Sequence, residues 1–280
     1  MTELVAASIF IVALALIFAQ TWHRMVVSGV GAAVMVAAGL LFGFYDEAHA
    51  VEAIDYETLA LLLGMMILVV LLRKTGFFEA LSIMAAQRSG GSALRLLFML
   101  SLTTSVLSMV LDNVTTVVLI APMVILIAEL LDISPVPLLI SQAMFSNIGG
   151  MATLVGDPPN ILIGAAAGLS FNDFLTHLAP IVAVLWIVTF ALLRYLFRGQ
   201  LSPVRPDGPR GGALASLNAR EALTNRRMAR RVLLVLGGVV VMFMLERPLQ
   251  VTTAIAALAG SGIALGWTQM PVPSVLRDVE

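Results

Sequence analysis

Apolar runs of membrane-spanning length recur along this chain, at residues 4–19, 25–44, 58–72, 136–155 with a continuation to 168, 178–197, 230–245 and 251–267. About 20 apolar residues in helical form cross the hydrocarbon of a bilayer. A large water-soluble core would show shorter, amphipathic stretches instead. The composition agrees, with 60% hydrophobic and 12% charged residues, where soluble domains carry about 25% charged. The fold class this predicts is an all-α polytopic membrane protein, with the lipid bilayer as its surroundings.

Several classes of function drop out. Net charge is −1, so no global field attracts nucleic acid. The chain holds no cysteine, which removes disulfides and thiolate metal sites. His23, His49 and His177 are scattered and form no ligand set, so neither a metal centre nor a resident cofactor is expected. A membrane-embedded enzyme would need a nucleophile with a base, or a metal cluster. No histidine lies near Asp112, Asp157 or a serine nucleophile in sequence, and no catalytic residue is assigned. Glu3 precedes the first run, where a cleaved signal peptide would be basic, so Leu4–Ala19 reads as a retained span.

Loop charges set an orientation. Residues 45–57 carry Asp46, Glu47, Glu52, Asp55 and Glu57 and no Lys or Arg, whereas 73–95 carry Arg73, Lys74, Arg88 and Arg95. The longest loop, 194–231, holds nine arginines against Asp207 and Glu221. Basic loops stay cytoplasmic. This places 73–95, 199–228 and 268–280 inside a plasma membrane, with 45–57 and the N-terminus outside. Phe77 to Arg88 is short and mixed, which suits a helix lying in the interface. Residues 94–131 are two apolar arms joined at Asp112-Asn113, and the parity of the spans leaves open whether they cross twice or re-enter. The stretch 199–228, rich in Pro, Gly and Arg, is the one linker. It reads as a flexible connector held inside by charge, with a contact to anionic lipid as the sharper alternative.

The chain also repeats. Shifting it by 223 residues aligns 24–57 with 247–280 without a gap. Gly39 and Gly43 then meet Gly262 and Gly266, while Asp55 and Glu57 meet Asp278 and Glu280. The loop charges put one acidic pair outside and the other inside, so the repeat is inverted, a common transporter architecture. One unit and the opening of a second leave two expectations: a fragment of a longer transporter, or a half completed by another chain.

Two polar stripes run through the apolar blocks. Ser101, Ser105, Ser108, Asp112 and then Thr115 and Thr116 share one helical face, as do Gln142, Ser146, Gly149, Thr153 and Asp157. In hydrocarbon such stripes must face protein or a watery cavity. Asp112 and Asp157 are the carboxylates deep in apolar sequence, and each is read either as a helix cap alone or as a cap that also serves an ion or substrate site. Both stripes end in helix breaks. Gly156-Asp157-Pro158-Pro159-Asn160 cannot continue a helix, and Gly149-Gly150 loosens the turn above. Broken backbone at membrane depth lines a protein cavity, where freed carbonyls suit a cation and new helix N-termini suit an anion. A proline kink used only for packing is the plainer alternative.

The stretch Leu111-Asp112-Asn113-Val114-Thr115-Thr116 and the stretch Ser146-Asn147-Ile148-Gly149-Gly150 through Thr153 to Gly156-Asp157-Pro158-Pro159-Asn160 resemble the ion transporter superfamily. The nearest likeness is to its arsenite permease, melanosomal P-protein and citrate transporter-like group, with divalent anion/sodium symporters as relatives. The resemblance implies an inverted-repeat fold with a re-entrant hairpin at 94–131, its tip at Asp112, Asn113 and Thr115 facing the break after 146–160. It implies scaffold helices at 1–72 that dimerise, a linker helix at 73–93, a mobile hairpin and broken helix at 94–168, a last span at 169–198, the linker 199–228 and the start of repeat two at 229–280. The implied function is secondary active transport of an inorganic ion or a small di- or tricarboxylate-like anion, coupled to Na+ or H+. Sodium relatives carry a Ser-Asn-Thr-type tip, which Asn113-Val114-Thr115 matches in part; Na+ would sit near Asn113, Thr115 and Asn147, while Asp112 or Asp157 offers a proton carrier. The alternative from another class is a non-transporting membrane half or assembly subunit.

Overall fold

The computed structural model describes residues 2–20, 22–44, 47–200 and 217–279, and every regular element among them is helical. Most of the expected linker, 201–216, lies outside the described residues. Five stretches are long and apolar enough to cross a membrane: Thr2–Ala19, Arg24–Phe42, Ala48–Arg73, Asn113–Leu130 and Phe171–Leu196. Their surfaces are oily on the outside as well. Ile181, Val184, Ile187 and Val188 are all more than half exposed on one helix. A soluble monomer rarely shows an apolar face of that extent.

The first compact unit runs to Tyr56. It holds α1 (Thr2–Ala19), α2 (Arg24–Phe42) and the short α3 (Glu47–Glu52). α1 has no buried residue, although it packs along α2 and encloses an apolar pocket lined by Ile9, Val12, Ala13, Val27 and Val30. His23 caps α2 by accepting from the Met25 amide, and Gly43 ends it at φ 68.

The second unit starts with α4 (Tyr56–Arg73) and α5 (Phe77–Ser89). Then come α6 (Ala93–Ser108) and α7 (Asn113–Leu130), antiparallel arms of a hairpin. α8 (Val136–Gly150) and α9 (Pro158–Ala167) are two halves of one interrupted helix. α5 is buried on Phe78, Ala80, Ile83, Ala85 and Ala86. Its Ala85 and Ala86 join Leu96, Leu97, Ile127, Ala128, Leu131 and Leu138 in one apolar cluster. The start of α6, the end of α7 and the start of α8 therefore gather at the same end, against α5.

The remainder comprises α10 (Phe171–Leu196), α11 (Ala219–Ala222), α12 (Arg226–Met244), α13 (Glu246–Leu249), α14 (Thr253–Thr268) and α15 (Val272–Leu276). α10 begins about two turns before the apolar run at 178 and within the expected last span, 169–198. Ser170 and Asp173 form a reciprocal capping box there, a signal readable as Ser-x-x-Asp in the sequence. α12 is also of spanning length, with Arg226, Arg227, Arg230 and Arg231 crowded into its first turns.

Contacts define two ends of this unit. At one end Lys74 Nζ lies 2.6 Å from Asp278 Oδ2, Gln87 Nε2 donates to Leu217 O, and Arg231 donates to Trp267 O. At the other, Phe171 N donates to Glu246 Oε2 and Asn172 Nδ2 to Met244 O, with Arg247 and Asp173 paired at 2.5 Å. α12 connects the two ends. After α12 the short α13 comes before α14 and α15, whereas α1 is followed directly by α2 and α3. α12 corresponds to α1 at the 223-residue shift, and α15 overlaps the image of α3. The second long pair differs in register, because 247–252 is short helix and turn while 24–29 is already α2.

Candidate functional site

The hairpin tip and the helix break meet. α6 is 16 residues long, about 24 Å at 1.5 Å per residue, and it stops at Ser108. The chain turns through Met109–Leu111 and restarts at Asn113. α8 stops at Gly150 and α9 restarts at Pro158. Asn113 Nδ2 then donates to Asn147 Oδ1 at 2.8 Å and to Asp157 Oδ2 at 3.3 Å. Residues from both motif stretches thus share one contact.

The two stripes explain why. They face each other as a seam between α6 and α8. Thr104 Oγ1 donates to Gln142 Oε1, Ser105 Oγ to Phe145 O and Ser108 Oγ to Ser146 O. Lower down, Thr153 Oγ1 donates to Met109 O and accepts from Gly156 N. Small residues let the backbones touch. A Cβ added at Gly149 would lie 2.6 Å from Ser105 Cα, and one at Gly156 would lie 2.6 Å from Ser108 O. Membrane helices associate through such close packing and interhelical hydrogen bonds, because lipid supplies no hydrophobic drive. The sequence left protein or cavity open as the partner of the stripes; for Ser105, Ser108, Gln142 and Thr153 the partner is protein.

The same geometry separates the two aspartates. Asp112 is the N-cap of α7: its Oδ1 accepts from Thr115 N at 2.9 Å, and its carbonyl accepts from Thr116 Oγ1 at 2.8 Å. Asp157 stands at the N-cap position of α9 but makes no side-chain cap hydrogen bond. Pro158 and Pro159, next in the chain, have no N–H to offer it. Its carboxylate turns to Asn113 instead. Asn160 secures the break by donating to Gly150 O at 3.2 Å and Thr153 O at 3.0 Å. Neither carboxylate is paired with a Lys, Arg or His among the described residues.

Of the residues singled out from sequence, Asp112, Asn113, Thr115, Asn147, Asp157, Pro158 and Pro159 frame the tip. Gly149, Gly150, Gly156, Ser146, Thr153 and Asn160 hold the break and seam, and Thr116 braces the Asp112 carbonyl. Asn147 is exposed and also donates to Ala143 O at 2.7 Å. Asn113 and Asp157 are partly open, so a small hydrated species can reach them. The chemistry on offer is a carboxylate, amide oxygens and the amide end of α7, a mixture that accommodates a cation beside an anion. No cluster of metal-binding side chains occurs among the described residues.

Two features were not found from sequence. A cavity of about 110 Å3 lies behind the tip, reaching from Asp112, Leu111 and Thr115 along Met65 and Val69 to Arg73 and Asp278. An aromatic cluster backs the seam. Trp186 of α10 stacks on Phe190, packs against Phe98 and Phe145, and donates from Nε1 to Ser105 Oγ at 3.0 Å. Trp186 and Phe190 are a turn apart on α10, but Phe98 and Phe145 come from two other helices, and no local spacing links those to them.

Comparison with known proteins bears on this architecture. A family model described as a citrate transporter matches residues 12–273. A 46 kDa membrane protein of Mycobacterium leprae (strain TN) is 43% identical over 281 residues, covering 99% of this chain and 64% of that protein. An uncharacterized transporter of Mycobacterium tuberculosis (strain ATCC 25618 / H37Rv) is 40% identical over 279 residues, again 99% of this chain and 64% of the relative. The human P protein is 40% identical over 199 residues, which is 69% of this chain and 24% of that protein. The chain therefore spans 64% of the length of the two mycobacterial relatives.

Proposed function

Since the chain belongs to the citrate transporter family, we propose that it serves secondary active transport of a small di- or tricarboxylate-like anion or an inorganic ion, coupled to Na+ or H+. The observation that carries this reading is the meeting of the hairpin tip with the helix break. Asp157 is held there by Asn113, with no basic partner among the described residues. A membrane-embedded carboxylate without a counter-charge is costly. A cation or a proton arriving at Asp157 lowers that cost. Na+ is assigned to Asn113, Thr115, Asn147 and Asp157, and the anion to the space between the tip and Pro158.

The hairpin and broken helix move as one body in this proposal. The α6–α8 seam supports it, because its hydrogen bonds would be lost if the two parted. The α1–α4 helices act as scaffold and contact a second copy. The end carrying Arg73, Lys74 and Arg231 faces the cytoplasm of a plasma membrane by the positive-inside rule, which makes the hairpin re-entrant from that side.

Uptake by protein reconstituted in liposomes tests the reading. Labelled citrate, succinate and arsenite are offered with an imposed Na+ or H+ gradient. The proposal expects accumulation that an ionophore abolishes, and losses of about tenfold or more in Asp157→Asn and Asn113→Ala. Unchanged uptake in both variants would remove the site. No uptake under any gradient by folded protein would leave the chain as a membrane half that a partner completes.

A further inference from the structure

A groove remote from the tip carries the next inference. α12 opens with Arg226-Arg227-Met228-Ala229-Arg230-Arg231 and is then almost wholly apolar to Met244. Arg231 is engaged with Trp267 O at 2.8 Å. Arg226, Arg227 and Arg230 are exposed and have no carboxylate partner among the described residues. They line the head of an open groove of about 590 Å3 between α5 and α12. Phe77 and Met84 form one wall of it, and Leu233 and Leu234 continue the arginine face on the other. Spacings of four and then three or four residues keep Arg226, Arg230, Leu233 and Leu234 on one side of the helix.

We propose that this groove binds one anionic glycerophospholipid, with its phosphate on Arg226, Arg227 and Arg230 and an acyl chain along Leu233 and Leu234. Three arguments select that occupant. Guanidinium groups match phosphate oxygens in charge and in fork geometry. The groove goes on as apolar wall below the charges, which suits an acyl chain and gives free phosphate nothing. The change from arginine to leucine along α12 matches the step from headgroup to hydrocarbon at a membrane surface.

Native mass spectrometry of the whole chain in neutral detergent tests this, with phosphatidylglycerol, phosphatidylcholine and soluble glycerol phosphate as probes. Phosphatidylglycerol is expected to stay bound while phosphatidylcholine and glycerol phosphate fail to displace it. Arg226→Gln/Arg227→Gln/Arg230→Gln should weaken it about a hundredfold, at about fivefold per arginine. Arg194→Gln/Arg198→Gln, which removes charge from another surface groove, should leave it unchanged. Displacement by glycerol phosphate, equal binding of phosphatidylcholine, or an equal loss in the Arg194/Arg198 variant would each overturn the proposal. So would a protein found in the groove in place of lipid. If the triple variant does not fold, Arg230→Gln alone decides: a loss of about fivefold supports the site and no loss overturns it.

Discussion

Asp112 and Asp157 look alike in sequence, each beside a helix start within apolar residues, yet their hydrogen bonds set them apart. Asp112 serves the α7 amides, so Asp112→Ala should cost about 1 kcal/mol of helix stability, while Asp112→Asn, also a good cap, should cost little. Asp157 serves no amide of α9. Asp157→Asn should therefore leave the melting temperature in detergent within a few degrees of the parent and remove the stabilisation that added Na+ or acid confers. A melting curve that shifts with Na+ as strongly in Asp157→Asn as in the parent would contradict this. Gly156 gives a purely steric prediction. Its added Cβ would sit 2.6 Å from Ser108 O, so Gly156→Ala must spread tip from break, a strain of about 1–3 kcal/mol. Thermal unfolding of that variant at the parent's temperature would refute the close approach.

At the scale of elements, the α6–α8 seam makes a prediction that single residues cannot. Thr104 and Gln142 are fully buried and bonded to each other. Thr104→Val or Gln142→Leu alone leaves its partner unsatisfied, at about 1–3 kcal/mol. Replacing both should recover part of that loss, with a coupling of about 0.6–1.7 kcal/mol as found between membrane helices. A double-mutant cycle in denaturant with coupling near zero would mean that α6 and α8 do not meet at this pair. The stripes were legible because a period of three and four residues survives in any apolar helix. Their partner was not legible, since Ser105 meets Phe145 O only once two helices have docked. The break at Asp157-Pro158-Pro159 was legible from covalent geometry alone. The α10 start was legible too, through Ser170 and Asp173, but the apolar run drew attention to 178 instead. The Trp186 cluster lay beyond reach, because its rings come from positions 98, 145, 186 and 190 on three helices.

For the whole molecule, charge placement joins loops that are far apart in sequence. Lys74 bonds Asp278, so the α4–α5 turn and the α15 segment share one end. The hydrogen bond from Lys74, then the charges of Lys74, Arg73 and Arg277, hold the Asp278 carboxyl below its usual range. A lowered folded-state value means that the contribution is intact above pH about 4 and lost as pH falls through the folded value. The stability difference between parent and Asp278→Asn should thus be flat from pH 7 to 5 and shrink as pH falls below about 4 in thermal scans. It should also shrink in salt, since Asp278 is exposed. Orientation is the broader prediction. His177 lies at the Asp173–Arg247 end and Arg220 beside α5 at the other, and both are exposed. The chain contains no cysteine, so His177→Cys and Arg220→Cys each present a single thiol. In intact cells a membrane-impermeant maleimide should label His177→Cys and spare Arg220→Cys until the membrane is opened. Reversed labelling would turn the molecule over, moving the arginine groove and the hairpin entrance to the outer face. Labelling of both would break the two-ended arrangement itself, because α12 would then fail to carry the chain across.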